Sequence, residues 1–396
     1  VADGVTPDEG NIQTCIDNAI AAKQSHIQLP CGHILINRPI NLSNRPGLRF
    51  SGCDSDESAL NVPNTTVLVC NSGTFCIDMA GSGLTRLEDF TISAGSGTVG
   101  IIMGRDNATV STFDPCFSEN NEIDRVSVIM PNATSANGGV GTVAFYNAGG
   151  AERLTIINSV FQGNQGMYFA TTNLFNILTQ SVTYDYFTAA GTHVQTTFNA
   201  IITGCDTAGK VSMTHVNLIN VGIDLIGNGN GIYAATTGAF DLQNVDFVNG
   251  GQFACPINFA TFDSGNWRIR AVYEMDLSPP VAPDAAMCVG VNLDQIDASV
   301  QLFGAPAGTT FGVIYAYVNN KTISNSRLVL FANPSQQFIN NVPITFSGGE
   351  LNINGTLAGS FSNVVLLGTL VHADTNLTFS SSSHYLMMNP SGITIH

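Results

Sequence analysis

"LTIINSVFQGN" at 154–164, "VSMTHVNLINVG" at 211–222, "FDLQNVDFVNGG" at 240–251 and a looser "WRIRAVYEM" at 267–275 restate one phrase. Apolar and polar residues alternate, the phase slips by one residue at a polar position, and the alternation resumes. A two-residue hydrophobic period returning at a near-fixed interval is the signature of a solenoid of stacked β-coils.

In the third phrase Phe240, Leu242, Val245 and Phe247 read as inward, while Asp241, Gln243 and Asp246 read as outward. The slip falls on Asn244. Asn tolerates the left-handed backbone that a corner between two strands needs. Superposing the phrases puts Asn158, His215 and Asn244 at one position, 57 and 29 residues apart. Because 57 is nearly twice 29, one further coil is expected between them, and "SVTYDYFTAAG" at 181–191 fills that place. Upstream, "LEDFTIS" at 87–93 and "IDRVSVI" at 123–129 put Asp89 and Arg125 in the same frame, with steps of 36 and 33 residues. The longer steps imply loops inserted into a common coil. Stacking thus predicts one edge ladder of Asp89, Arg125, Asn158, His215 and Asn244, read as structural.

Composition agrees with an extended β core. Of the 396 residues 44% are hydrophobic and only 11% charged, so helix-forming Lys, Glu and Arg are scarce. The balance of 29 acids against 13 bases gives a net charge of -16. A nucleic-acid partner needs a basic groove, and none is visible. The negative field favours a neutral or mildly acidic glycan over a strongly anionic polymer, unless a local Arg pocket reverses it. No apolar run reaches the length of about 18 residues that membrane insertion requires. Nine cysteines are scattered without a CxxC, which suggests neither zinc nor a redox pair. Most read as buried small hydrophobes of a protein folded in a reducing cytoplasm, with Cys70 and Cys76 the one pair placed to close a small loop. No metal or cofactor is expected. Seven Asn-X-Ser/Thr sequons, at Asn41, Asn64, Asn107, Asn132, Asn320, Asn354 and Asn376, are near chance in so Asn-rich a chain.

"TPDEGNIQTCIDNAIAAKQ" at 6–24 predicts a helix with Ile12, Cys15, Ile16 and Ile20 on one face. Two short strands broken at Pro30-Cys31-Gly32 follow. The first coil of a solenoid exposes an unpaired edge, which a helix would cover. "ADGVTPDEGNIQTCIDNA" at 2–19 with "IQLPCGHILINRPINL" at 27–42 resembles the opening of the pectate-lyase-like superfamily of right-handed parallel β-helices, and within it bacteriophage tailspikes. The resemblance covers about 45 residues and is more specific for the fold than for a phage origin. It implies an all-β, right-handed single-stranded parallel β-helix with an N-terminal capping helix.

The expected organisation is a cap at 1–45, the β-helix at 46–278, a Pro-rich linker at 279–284 and a C-terminal antiparallel β-domain at 285–396. Pro279-Pro280-Val281-Ala282-Pro283 ends the repeats, and alternating strands separated by Gly and Asn turns follow. In tailspikes such a terminal domain trimerises the protein or binds sugar. The resemblance therefore implies a homotrimer on a virion tail, folded in the host cytoplasm and acting outside the bacterial cell. An earlier segment, joining the phage tail or baseplate, is expected before Val1.

No GxSxG, HExxH, P-loop or DxDxDG motif occurs, nor do the motifs of polygalacturonases or pectate lyases. Glycoside hydrolysis uses two carboxyl groups, about 5 Å apart for retention and about 6.5–9.5 Å for inversion. In the frame above, Asp185, Asn217 and Asp246 occupy equivalent outward positions on successive coils. At about 4.8 Å per coil, Asp185 and Asp246 stand roughly 9.6 Å apart, as inversion needs. Asn217 between them would bind a sugar hydroxyl; the plain alternative is solvated Asp on a strand. A second group is Asp241 and Glu274 with Asp276, near Arg268 and Arg270, which either steer a substrate carboxylate or satisfy one another across coils. Tyr184, Tyr273 and Trp267, with Tyr186, are candidate sugar-stacking platforms, though Trp267 is equally placed for burial. The acidic run "CDSDES" at 53–58 reads as a solvated loop, and the insertion 105–122, with Asp114, Glu119 and Glu122, as a possible groove lip. The expected function is binding and endoglycosidic depolymerisation of a bacterial surface polysaccharide, capsule or O-antigen. The alternatives are a lyase using His193 or Tyr184 as base, a non-cleaving adhesin, and a secreted pectin-type enzyme.

Overall fold

The computed structural model describes residues 2–55, 64–95, 98–104, 118–130, 143–147, 151–152, 154–169, 182–184, 187–190, 193–203, 211–213, 215–225, 232–234, 239–249, 257–259, 266–276, 285–289, 292–294, 297–301, 312–316, 321–332, 344–355, 364–373 and 384–386. Two compact units divide it, Val1–Thr214 and His215–His396.

The first unit is a parallel β-helix whose strands fall into three rows. One row stacks His26–Gln28, Arg49–Ser51, the first part of Arg86–Ala94, the first part of Glu122–Ile129, Leu154–Ile157 and Phe187–Ala190. The second stacks Asp3–Pro7, Gly32–Ile36, Thr66–Cys70, the later parts of Arg86–Ala94 and Glu122–Ile129, and the starts of Val160–Phe169 and His193–Thr203. The third stacks Ile40–Asn41, Phe75–Asp78, Val99–Gly104, Val143–Asn147 and the ends of the two long strands. A short fourth row joins Ser118–Glu119, Ala151–Glu152, Val182–Tyr184 and Val211–Met213. Every one of these pairings is parallel.

Parallel pairing brings like positions of successive coils together, so each row carries an apolar ladder inward. Ile27, Phe50, Leu87, Ile123 and Ile156 are consecutive partners, none more than 3% exposed. Ile34, Leu68, Ile92, Val128 and Phe161 form the second ladder, and Ile77, Ile101, Phe145 and Met167 the third. The Phe50 and Phe90 rings meet edge to face at 5.8 Å, as do Phe145 and Phe161 at 6.2 Å.

Three of the predicted slip positions hold. Asp89, Arg125 and Asn158 sit on successive coils with φ of +60°, +51° and +49°. His215 is a correction. It stands opposite Ala239, and the residue flanked by the pairs Ile219↔Gln243 and Val221↔Val245 is Asn220, with φ +52°. The two arms of an eleven-residue strand carry the same alternation. Shifting one phrase by half a strand therefore leaves the apolar match intact and hides the true register.

Close packing at corners limits some residues to glycine. A Cβ on Gly52 would lie 2.2 Å from the Asp89 carbonyl oxygen and 2.8 Å from the Phe90 and Thr66 Cβ atoms. Backbone cannot yield to it cheaply. Gly52→Ala is expected to lower the thermal midpoint by several degrees, whereas Gly95→Ala, with open space around it, leaves the midpoint within about a degree.

The helix spans Glu9–Ala21 and packs against His26–Gln28 and Ile40–Asn41. Its buried face is Ile12, Ile16 and Ala19; Ile20 is 40% exposed and Cys15 is exposed, so the expected face is rotated by about one position. Cys70 and Cys76 do close the small loop, while the reading of most cysteines as free is corrected by a second bond. Cys31 is bonded to Cys53 and Cys70 to Cys76, with Cα–Cα separations of 5.4 and 5.8 Å. Coil stacking places Cys31 and Cys53 at the same corner of successive turns, a proximity invisible in a 22-residue spacing.

The second unit is likewise wound from parallel strands. One row runs through the first parts of His215–Leu225, Ala239–Asn249 and Asn266–Asp276, then Asn292–Asp294, Lys321–Ser324, Ile344–Ser347, Val364–Leu367 and His384–Leu386. Another contains Asp297–Gln301, Arg327–Ala332, Glu350–Gly355 and Leu370–Ala373, and a third Ile232–Ala234, Ile257–Phe259, Ala285–Val289 and Gly312–Ala316. The antiparallel domain expected at 285–396 is thus corrected to parallel coils among the described residues. Gly and Asn turns between alternating strands mark hairpins and solenoid corners alike: here Asn325, Gly348 and Gly368 align with φ of +49°, +68° and +65°. The Pro-rich segment 279–284 lies outside the described residues, while strand pairing passes directly from Asn266–Asp276 to Asn292–Asp294. A proline between strands removes no ladder hydrogen bond.

Candidate functional site

In the first unit the outward positions next to the Asp89–Arg125–Asn158 corner form a charge lattice. Arg49, Arg86 and Glu122 are consecutive partners, as are Ser51, Glu88 and Asp124. Glu88 is fully buried and receives both Arg49 and Arg86, the latter at 2.6 Å. Asp124, 3% exposed, receives Arg86 at 2.7 Å and Arg125 at 2.5 Å. Arg125 also holds Asp89 through two nitrogens, at 2.5 and 3.1 Å. The Asp89 hydrogen bonds hold the Arg125 guanidinium well above its usual range. Burial opposes the charge of Arg86, but its bond to Asp124 and the fields of Glu122 and Glu88 outweigh that cost and raise it.

Each of these carboxylates is engaged by a guanidinium group of a neighbouring coil. The lattice therefore ties coils together. Glu88→Ala is expected to destabilise the protein by about 1–3 kcal/mol, since the hydrogen bond from Arg49 and the ion pair with Arg86 are lost while their partly exposed heads regain water. Denaturation midpoints check this. The sequence shows the positions of Asp89 and Arg125 but not the network, because its cross-coil pairs are 36 to 39 residues apart.

The sequence-predicted site residues fall mainly on 215–276. Asp185 lies outside the described residues, as does Tyr186. Tyr184 is in the short fourth row, opposite Ala151 and Met213. His193 is opposite Val160. Asn217 stands opposite Asp241, and Asp246 stands opposite Gly222, so the expected equivalence of Asn217 with Asp246 does not hold. It fails with the five-residue register shift that displaced His215.

The true register makes different neighbours. Asp241 is the partner of Arg270, and Arg268 is the partner of Ala239 on one side and Asp294 on the other. Both arginines thus have an acidic neighbour one coil away. Asp246 is the partner of Glu274, and Val248 of Asp276. Tyr273 is opposite Val245, in the row of buried Val221. Trp267 is opposite Leu293, in the row that continues through buried Ile323, Phe346 and Leu366. In the acidic run at 53–58, the Asp54 carboxylate accepts the Ser55 N–H at 2.8 Å. In the 105–122 insertion Asp114 lies outside the described residues, Glu119 is on the fourth row, and Glu122 lies 3.3 Å from Arg86. No group of three His, Cys, Asp or Glu able to hold a metal occurs among the described residues.

Two adjacent rungs bearing Asp246 and Glu274 have a chemical consequence. Facing residues of parallel strands lie about 4.8 Å apart at the backbone. Two carboxyl-bearing residues on neighbouring rungs are the composition that glycoside hydrolysis uses.

No protein-family model and no curated protein matches the chain. Among solved structures, the catalytic unit of a thermostable alpha-1,3-glucanase from Streptomyces thermodiastaticus aligns with 100% of this chain and 67% of its own, at 12% identity and a TM-score of 0.54. The surface protein and adhesin PfbA of Streptococcus pneumoniae aligns with 100% of this chain and 97% of its own, at 13% identity and a TM-score of 0.52. At those identities the likeness is one of fold, and the fold is the parallel β-helix.

Proposed function

We propose that this chain binds and depolymerises a bacterial surface polysaccharide by endoglycosidic hydrolysis, with Asp246 and Glu274 as the carboxyl pair. The observation that carries the reading is their partnership on adjacent coils. A parallel β-helix offers a long rigid face on which such rungs repeat, suited to a chain of sugars. One solved structure of like fold, a glucanase, supports a glycan as the ligand class, and the other, a surface adhesin, supports a role in binding. Asp241 and Asn217, on adjacent rungs, supply hydrogen-bonding groups for sugar hydroxyls. The single-coil spacing favours the closer, retaining geometry over the inverting one that a two-coil separation suggests.

The resemblance of the opening at 2–42 to tailspikes supports a homotrimer on a virion. The two disulfides favour a second setting, a secreted polysaccharide-active enzyme, because such bonds persist in oxidising surroundings. Incubation with capsule or lipopolysaccharide, followed by sizing of the glycan, tests the activity. Shortened chains without ultraviolet absorbance support hydrolysis; an unsaturated-uronate absorbance makes the protein a lyase, and binding without shortening makes it an adhesin. Sedimentation equilibrium tests the trimer, and a monomer removes the tailspike setting.

A further inference from the structure

We infer that the Cys31–Cys53 disulfide is a latch on the first two coils that a dithiol opens in the folded protein, while Cys70–Cys76 stays closed. Cys31 and Cys53 are both exposed, whereas Cys70 and Cys76 are 1% and 0% exposed. Attack on a disulfide requires a thiolate to reach one sulfur in line with the bond, so access separates the two bridges.

The latch closes a corner. Cys31 follows Leu29 and Pro30 where His26–Gln28 gives way to Gly32–Ile36, and Cys53 occupies the matching corner one coil on. Hydrogen bonds brace the same place. The Leu29 N–H donates to the Ser51 carbonyl and the Gly32 N–H to the Thr65 carbonyl, each at 2.8 Å. The Thr66 hydroxyl donates to the Pro30 carbonyl at 3.0 Å and accepts the Cys53 N–H at 2.9 Å. These bonds keep the strands paired once the sulfurs part, so opening the latch is a local event.

What the latch restrains is one wall of a groove. Leu29 and Pro30, with Ile27 and Ile34 of the first coil, face Ile12 and Cys15 of the helix across a cavity of about 220 Å³. Reduction frees the Leu29–Pro30 wall to move while the helix face stays packed through Ile16 and Ala19. The exchange balances. One thiolate of the dithiol attacks a latch sulfur, forms a mixed disulfide and releases the other cysteine as thiolate. The second thiol then displaces the first cysteine, the dithiol leaves as a cyclic disulfide, and Cys31 and Cys53 hold the two electrons and two protons.

The test treats the native protein with dithiothreitol, traps thiols with iodoacetamide at intervals and maps the peptides, with amide exchange followed in parallel. Cys31 and Cys53 are expected to be trapped together, at least about tenfold sooner than Cys70 and Cys76, with faster exchange confined to residues 26–53. The double variant Cys31→Ser/Cys53→Ser should show the same exchange pattern without reductant. Trapping of all four cysteines at one rate, earlier release of Cys70 and Cys76, no release, or exchange gains reaching residues 86–129 would each overturn the inference. Should the variant not fold, the reduced wild-type protein gives the same readouts.

Discussion

Asp246→Asn and Glu274→Gln are each expected to slow glycan cleavage by about 10²–10⁴-fold while leaving glycan binding and assembly intact. Either change keeps the size of the side chain and removes the ability to ionise. The two residues are partners on adjacent coils, so loss of one carboxyl removes either the proton donor or the base or nucleophile. The double variant should be scarcely slower than the worse single variant, because residues acting as a unit are not additive. Asp241→Asn is the control. Its register partner is Arg270, a pairing suited to substrate positioning, so KM should change more than kcat. Full activity in both Asp246→Asn and Glu274→Gln rejects the pair, whatever the fate of the glycan-binding reading.

Phe50→Ala is expected to cost about 3–5 kcal/mol, the largest stability loss of any change proposed for this chain. The ring is fully buried, stands in the ladder between Ile27 and Leu87, and meets Phe90 edge to face at 5.8 Å. A stacked ladder has no spare side chain to fill the void, since each coil contributes one residue per rung. Coil arrays open in parts, so the loss should appear first as faster amide exchange in the coils holding Ile27, Phe50 and Leu87, then as a lower melting midpoint. Ile20→Ala, at a position 40% exposed on the helix, should change the midpoint far less. Equal losses in the two variants would mean that the interior is not organised as ladders.

The corner residues show how far sequence reading reaches. Asp89, Arg125 and Asn158 were legible as one column because the coils carrying them each have a slip flanked by apolar alternation on both sides. His215 was misplaced because "THVNLIN" fits either arm of its neighbour equally well, and only continuous pairing from His215 to Leu225 excludes the wrong arm. The same ambiguity set Asn217 beside Asp246 and concealed the partnership of Asp246 with Glu274. The strands after 285 were legible as strands, yet their direction was not, since local alternation carries no information on which way a neighbour runs.

Sequence by itself determined that the chain winds: the recurring two-residue period and its polar slips depend only on residue order, and they fix which side chains turn inward. It also determined the helix at the start. Tertiary structure alone decided which coil lies against which, and with it the carboxyl partners, the Arg–carboxylate lattice and the Cys31–Cys53 bond. The physical reason is that a solenoid makes neighbours of residues one coil apart. Coil length varies with every inserted loop, and pairing across many consecutive rungs fixes the register, which no single phrase contains.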